Sequence, residues 1–576
     1  MSSDGRQARL PPALTDGLWR PVPTLLTGAN VHTLDPAHPH ATGVLIDAGR
    51  IAAVGDDAQL RATTSGADII DCRGQTVLPG LVDAHIHATM YADSLAEVDL
   101  RQVRSLPDAV EAVRTHAESL PPGVWVTGGR WDCNTWETPG QPDRELLDAA
   151  LPDRPVALWS IDYHTLWCNG AALRAAGIDE HTPSPRGGEI VRDADGQATG
   201  ILREDAATIV ERLVPAPPIE MRMQRMRAAQ QQWLSEGLTG IHDIDGQISS
   251  GTWAALREQG IGAGGGQLMR VVKYLRLDEL DWAKGIAWRT GDGDAWFTRG
   301  GLKLFSDGAL GSQTSFMSSP YPGTCDHYGM EIASEDVLCE QITDALMSGL
   351  SLAIHAIGDQ ANHHVLSAFA RTRSISREAE RIYSRRLRHR IEHVQFVQPD
   401  DIARFAELGI VASMQPRHCI SDLHLLEALR PDPQLAAYAW GEMAAAGVPV
   451  AFGSDGPVEP SDPWAAIYAA MTRADISGDP STTFQPHRRI SAYAAIEAHT
   501  AGAAYAAGRE KQSGRIMSGM DADLIVVDTD PITGHAGSDS MTGAYESEEA
   551  LFEHACAVRD LQVDLSIVNG EVAFAR

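Results

Sequence analysis

Eight short apolar segments recur through the centre of the chain, and most are followed by a stretch with apolar residues at helical spacing. The segments are almost continuously apolar, which is typical of parallel strands that are covered on both faces. Eight strand–helix units are the number in a (β/α)8 barrel, so the sequence predicts an α/β fold with a TIM-like barrel over 80–507. The segments are GLVDAHIH (80–87), LTGIHDI (238–244), LMRVVKYL (268–275), GLKLFSDG (301–308), LSLAIHAIGD (350–359), HRIEHVQF (389–396), GIVASMQP (409–416) and VPVAFGSDGP (448–457).

The two ends of the chain have a different pattern from the centre. Residues 24–79 and 508–576 contain short strand-like runs separated by glycine-containing turns. We expect both ends to combine into one small β-sandwich domain, with the barrel inserted between them. Residues 1–23 are mostly polar and contain no apolar core of a secretory signal, so we expect a flexible tail.

The segment of about 90–235 is too long for the single helix that normally follows the first barrel strand. We expect an inserted subdomain there, lying over the carboxyl-terminal face of the barrel, where barrel enzymes place their active sites. Its Trp131 and Trp167 are candidate substrate contacts for an aromatic or bulky apolar group. The alternative, which we favour for most of the tryptophans of this segment, is that they form the subdomain's own core.

Composition excludes several classes of partner. The formal net charge of −30 argues against nucleic acid or an anionic membrane surface, because both require clustered Lys and Arg. No run of about 20 apolar residues predicts a membrane span. The seven cysteines are scattered and include no CxxC pair, so we expect no disulfide framework and a cytoplasmic location.

Polar residues occur at the ends of the apolar segments, where the strands of a barrel converge. His85 and His87 alternate at the end of the first segment and therefore point to the same side of a strand. His355, His393 and Asp455 end three later segments. Each residue has an ordinary alternative, a core histidine or a helix cap, but together they are the ligand types that zinc and similar divalent cations prefer.

Lys303 lies inside the fourth apolar segment, where an ammonium group would be costly to bury. Its position is explained if the amine reacts with CO₂ to give a carbamate, which is an anionic ligand that can bridge two metal ions. The sequence therefore makes Lys303 a sixth candidate ligand.

These motifs resemble the amidohydrolase superfamily. The resemblance is carried by PGLVDAHIH, the His of AIHAIGD, the His of RIEHVQ and the Asp of FGSDGPV, together with the β-rich ends. GGRWD, GLKLFSDGALGSQTSF, HAIGDQAN and EHVQFVQPDDIARFAELGIVASMQP are similar to the amidohydrolase-3 branch, which includes N-substituted formamide deformylases. The motifs are specific for the branch and not for a substrate.

The resemblance implies a metal shell and a reaction. The shell would comprise His85, His87, carboxylated Lys303, His355, His393 and Asp455, holding one or two divalent ions, with zinc first among them. The reaction would be hydrolysis of an amide, formamide or cyclic amide C–N bond by a metal-activated water, with Asp455 as general base.

Further residues are candidates for contacts with the substrate. His164, Arg203, Arg417 and His418 are candidate donors to a tetrahedral oxyanion. His164 and Arg203 are placed among the catalytic candidates, although a structural hydrogen bond and an ion pair with Glu204 or Asp205 are their respective alternatives. Gln415 and His418 follow the seventh segment, so we expect them to face the pocket as substrate-binding residues.

Two other functions remain open at this stage. One is hydrolysis of a different bond, such as an ester, or deamination of a ring on the same fold. The other is a non-catalytic scaffold, which the complete ligand set argues against. We expect a small amide-type substrate and, by default for such enzymes, a homodimer.

Overall fold

Parallel strands form the centre of the computed structural model, which describes residues 22–121, 123–138, 140–161, 163, 165–185, 188–215, 217–429, 432–532 and 545–576. Eight of them lie side by side in chain order, and every neighbouring pair is parallel. The fold class is therefore confirmed as a (β/α)8 barrel with a separate β-sheet domain. The barrel strands are Leu81–Ile86, Leu238–Asp243, Arg270–Arg276, Phe297–Phe305, Leu352–Ala356, Arg390–His393, Val411–Met414 and Val450–Phe452.

Hydrogen bonds beyond the last strand bring the barrel close to closure. The backbone N–H of Asp455 donates to the carbonyl of His85 over 2.7 Å, and the N–H of His87 donates to the carbonyl of Gly456 over 2.9 Å. Gly453 allows this close approach, because a Cβ at that position would lie 2.4 Å from the backbone nitrogen of His85. The carboxyl ends of the first and last strands, which carry three of the candidate ligands, are thus held together by backbone contacts.

Helices cover the outside of the barrel, as the periodicity predicts. Ser334 caps the helix after the fourth strand by accepting a hydrogen bond from the N–H of Val337. The helix after the sixth strand begins with Pro399 and ends at Gly409, whose φ of 70° suits a glycine. The main barrel helices are Ile219–Ser235, Gln247–Glu258, Leu280–Gly285, Glu335–Met347, Asp359–Tyr383, Pro399–Leu408, Pro416–Ser421, Leu423–Leu429, Trp440–Ala445, Pro463–Thr472, Ala492–Glu497 and Ala503–Ala506.

Both ends of the chain contribute to a second sheet of eight strands. It has its own apolar core, which includes Leu26, Val44, Val77 and Leu524. The strands are Thr24–His32, His40–Asp47, Arg50–Gly55, Asp68–Asp71, Thr76–Pro79, Leu524–Val527, Val563–Val568 and Glu571–Ala575, with helices Asp57–Thr63 and Glu548–Arg559 in the same parts of the chain. The exact domain boundaries stay a prediction, and the tail expected at 1–23 lies almost wholly outside the described residues.

The long segment after the first barrel strand carries a third sheet. Its six strands are Val98–Asp99, Val126–Trp131, Val156–Ser160, Thr165–Cys168, Gly188–Arg192 and Ala198–Glu204. Its helices are Leu106–Ser119, Glu145–Ala150, Gly170–Ala175 and Ala207–Glu211, and helix Ala88–Ser94 leads into it from the barrel. Trp131, Trp136 and Trp167 pack in the core of this subdomain, as the core interpretation expects, and Trp131 also reaches the cavity of the barrel.

Within the described part of the chain, no helix is both long and apolar enough to cross a membrane.

Candidate metal centre and active site

A cavity of about 750 Å³ opens at the carboxyl-terminal end of the barrel. All six predicted ligands line it, one or two from each of five strand ends. Asp455 is the residue on which the others converge: one oxygen lies 3.3 Å from Nε2 of His85 and 3.4 Å from Nε2 of His87. Its other oxygen lies 3.3 Å from Nε2 of His418 and 3.9 Å from Nδ1 of His393.

The donor atoms form two sets with the spacing that a metal ion requires. His85, His87 and Asp455 make one set, and His393, His418 and Asp455 make the other, with all atoms of a set within 4.8 Å of one another. Nε2 of His85 and Nε2 of His418 are buried without a hydrogen-bond partner. Buried nitrogens that have no partner, aimed at a shared carboxylate, fit a divalent cation such as zinc.

The first strand's two histidines are oriented by carboxylates. Nδ1 of His85 pairs with Glu392, and Nδ1 of His87 is 2.9 Å from Asp245. Because Nδ1 of each ring donates to a carboxylate, Nε2 is left as the acceptor that can bind a cation. Asp245 also accepts hydrogen bonds from the backbone N–H groups of Thr89 and Met90, so it is itself fixed.

The two later histidines are held through hydrogen bonds to a backbone carbonyl and an amide oxygen. Nε2 of His355 lies 3.1 Å from the carbonyl oxygen of Gly308 and 3.4 Å from Oδ1 of Asp307, which leaves Nδ1 for the cavity. Nδ1 of His393 lies 2.9 Å from Oε1 of Gln415, which leaves Nε2. Gln415 was predicted to bind substrate, but the structure places it behind His393, 2% exposed and away from the cavity lining.

Electrostatics keep the central carboxylate ionised. Burial alone would raise the pKa of Asp455, but the electrostatic effect of His85 and the close contacts of His418, His85 and His87 hold it well below the usual range. Glu392, buried beneath the site, likewise has a pKa well below the usual range, since the charges of Arg390 and His85 outweigh its burial. The centre therefore presents an ionised carboxylate to whatever occupies the cavity.

Lys303 reaches the same cavity from the fourth strand. Its side chain is 1% exposed, and within the described ranges its ammonium nitrogen has no hydrogen-bond partner. Burial lowers its pKa to about 8, so roughly a tenth of the side chain is the neutral amine at pH 7, far more than for an exposed lysine. A second buried lysine, Lys273, differs because its nitrogen donates to the carbonyl of Tyr274 over 2.8 Å.

Strain in the backbone marks the same strand ends. His393 has φ 73° and Asp455 has φ 60°, both in the left-handed region that side-chain-bearing residues rarely adopt. Such conformations concentrate at sites where function requires a side chain to point away from the regular direction of its strand.

Only some of the residues that the sequence suggested as substrate contacts line the cavity. Trp131 and Arg203 line the cavity from the inserted subdomain. Arg203 forms an ion pair with Glu189 over 2.6 Å. The sequence had suggested Glu204 or Asp205 as its ion-pair partner. Trp167 is completely buried in the subdomain core and offers no surface to the cavity. His164 lies outside the described residues.

Several functional neighbours were not predicted from the sequence. Glu392, Asp245 and Asp307 are buried acids behind the ligand histidines, and Gln395 is a cavity residue. One signal was available for Glu392: Arg390 and Glu392 alternate within an otherwise apolar strand, as an inward-facing ion pair would. Asp245 had no comparable signal, because its contact with His87 spans 158 residues of sequence.

Comparisons with known proteins agree with this geometry. The family model described as "Amidohydrolase family" matches residues 68–574. The chain is 30% identical to the putative amidohydrolase YtcJ of Bacillus subtilis over 88% of this chain and 94% of that protein. It is 29% identical to the N-substituted formamide deformylase of Arthrobacter pascens over 96% and 98%. An uncharacterized metal-dependent hydrolase from Pyrococcus furiosus superposes with a TM-score of 0.70 at 28% identity, covering 88% of this chain and 99% of that one.

Proposed function

This chain belongs to the amidohydrolase family, and from that membership we propose that it hydrolyses the C–N bond of N-substituted amides, formamides first among them. The observation that carries the proposal is the convergence of four histidines and Asp455 on one cavity, each predicted ligand histidine held by a partner on its other nitrogen. The similarity to a formamide deformylase over nearly the whole chain supports the choice of substrate.

The predicted ligands would hold one or two divalent ions, with zinc as the first candidate. When bound, such an ion supplies Lewis acidity at the carbonyl and makes water easier to deprotonate. His85 and His87 would hold it together with Asp455, and His355 and His393 would contribute from the opposite side. His418, predicted as a substrate contact, lies close enough to Asp455 to join the second set of donors.

Asp455 would move the proton. Its ionised carboxylate accepts a proton from water as the water oxygen attacks the carbonyl carbon. The tetrahedral carbon then collapses with cleavage of the C–N bond, and Asp455 delivers the proton to the leaving nitrogen. The products are a carboxylic acid, formic acid in the first case, and an amine.

Lys303 would serve as a carbamate. Its neutral amine adds to CO₂ with loss of a proton, which converts a buried amine without a hydrogen-bond partner among the described residues into an anion beside the histidines. Lys303→Ala is expected to reduce the metal content and to lower kcat by about 10–100-fold, the usual cost of losing a group that supports a metal site. Full metal content and rate in this variant would contradict the carbamate. The control is Lys511→Ala, because Lys511 is an exposed residue that follows the last barrel helix.

The charge of the cavity wall favours particular amides. Its acids outnumber its fixed cations, and both signs are partly paired, Arg203 with Glu189 and Glu459 with Arg417. Away from the metal ligands, the wall would therefore disfavour a free carboxylate on the substrate relative to a neutral or cationic amine portion. The charged residues of the wall are Asp132, Glu204, Asp422, Asp455, Glu459, Arg203 and Lys303.

The test measures hydrolysis of paired substrates, by release of primary amine from the amides, of benzyl alcohol from the ester and of ammonia from ring substrates. N-benzylformamide and N-acetylbenzylamine would be compared with N-formylphenylalanine, which adds a carboxylate, and with benzyl formate, which replaces N–H by oxygen. We expect turnover of the amides, weak turnover of the formylated amino acid, and loss of activity with a chelator. Preferential cleavage of the ester, or release of ammonia from ring substrates alone, would contradict the proposal.

A further inference from the structure

Gln395 is a buried amide in the cavity lining whose side chain has no hydrogen-bond partner among the described residues. It lies two residues after His393, is 3% exposed, and lines the cavity. Oε1 is buried without a hydrogen bond, and in the described ranges no residue hydrogen-bonds the amide nitrogen either. A buried amide without partners is costly, so its place beside a reaction site requires an explanation.

The backbone around Gln395 is firmly held. Its carbonyl accepts a hydrogen bond from the N–H of Tyr438 over 2.7 Å, and the next residue, Phe396, donates to the carbonyl of Ile357 over 3.0 Å. His393 and Val394 both have positive φ values, 73° and 49°, which turn the chain just before Gln395. The amide is therefore presented from a rigid segment, as a preorganised donor must be.

The other candidate donors are already engaged. Nε of Arg417 donates to Glu459 over 3.1 Å, and Arg203 is paired with Glu189. Nε2 of His418 lies 3.3 Å from Asp455. Gln395 is thus a buried amide donor of the lining that the structure leaves available, whereas the second lining amide, Gln141, is exposed and accepts a hydrogen bond from Arg203.

On the basis of the proposed function, we infer that Nε2 of Gln395 donates a hydrogen bond to the substrate's carbonyl oxygen and stabilises the tetrahedral oxyanion formed from it. The carbonyl oxygen gains negative charge as water adds, so this hydrogen bond strengthens in the transition state. Gln395 would therefore raise kcat more than it lowers KM.

The test replaces the donor with an apolar side chain of similar length. Gln395→Met is expected to lower kcat on N-benzylformamide by about 10²–10³-fold, the usual effect of one oxyanion donor, with KM changed by less than about threefold. Binding of a phosphonamidate analogue of the tetrahedral intermediate should weaken by a similar factor, while binding of the product benzylamine should not change. Gln395→Glu keeps the size, removes the donor, and should be at least as impaired.

The matched control is Gln398→Met. Gln398 lies three residues further along, and its amide already donates to Asp359 over 3.1 Å, so its loss tests the general effect of removing a glutamine from this loop. Metal content and the unfolding temperature would be measured for all variants. Suppose that the wild type is active. If Gln395→Met then keeps its kcat, or loses kcat only in proportion to lost metal, this inference is overturned and the proposed function is not. A wild type without amide hydrolysis would overturn the proposed function and this inference with it.

Discussion

At the scale of the residue, the geometry of the site depends on which ring nitrogen of each histidine is hydrogen-bonded to a neighbour and which is left to bind a metal ion. His85 and His87 are held through Nδ1 by carboxylates, His393 through Nδ1 by an amide, and His355 through Nε2 by a backbone carbonyl. The free nitrogen of each ring therefore follows from its partner. Neighbours of this kind fix ring orientation and raise the basicity of the ligand.

Gln415 offers a direct test of this orientation. Gln415→Met removes the acceptor for Nδ1 of His393 and is expected to weaken metal affinity about 10–100-fold. Gln415→Glu restores an acceptor oxygen and should recover most of that affinity. Affinity would be measured by competition with a chromogenic chelator. Equal affinities in wild type and Gln415→Met would show that Gln415 does not orient the ligand.

At the scale of the element, strand ends were more predictable than the contacts between them. Alternation placed His85 and His87 on one face, and each predicted apolar segment overlaps one barrel strand. Trp167 shows one limit of prediction from sequence, because an aromatic residue in an amphipathic strand is consistent with a place in the core and with a place in the cavity wall. Glu392 and Asp245 show a second limit. They contact His85 and His87 across 307 and 158 residues of sequence, and local sequence patterns carry no information about such distant contacts.

One contact between elements predicts a pH dependence of stability. Glu236 follows helix Ile219–Ser235 and accepts a hydrogen bond over 2.6 Å from Ser461, in the loop after the last strand. Burial raises its pKa from 4.5 to about 7, against the opposing effect of hydrogen bonds from Ser461 and Gln232. The folded protein therefore binds more protons than the unfolded chain between about pH 4.5 and 7, and this group costs stability increasingly as pH rises through that range.

Glu236→Gln should remove this cost while keeping the contacts. We expect the variant to be more stable than wild type by on the order of 1–3 kcal/mol at pH 8, with the difference shrinking as pH falls towards 5. Urea unfolding at several pH values measures it. Glu258→Gln, at an exposed helix end, is the control and should show no such trend. A destabilised Glu236→Gln at pH 8 would mean that the ionised carboxylate is the favoured form.

At the scale of the whole molecule, the barrel supplies the ligands and the inserted subdomain supplies part of the cavity wall. The arrangement follows from the eight-unit repeat and the over-long segment after the first strand, both visible in the sequence. The sequence does not show which residues line the cavity wall. Trp131, Arg203 and Gln395 reach the cavity from different elements, and the approach of those elements depends on tertiary packing. Specificity is accordingly the part of the function that depends most on the structure.

The most direct test of the central claim is the metal content of the purified protein, measured by elemental analysis together with amine release before and after chelation. We predict one or two equivalents of a zinc-like metal per chain, activity lost on chelation and restored by adding the metal back, and loss of both in a His85→Asn, His87→Asn variant. His389→Asn, a buried histidine at the opposite end of the sixth strand, should keep both. Protein that binds no metal even when metal is supplied, and releases no amine, would contradict the assignment of this cavity as a metal-dependent hydrolase site.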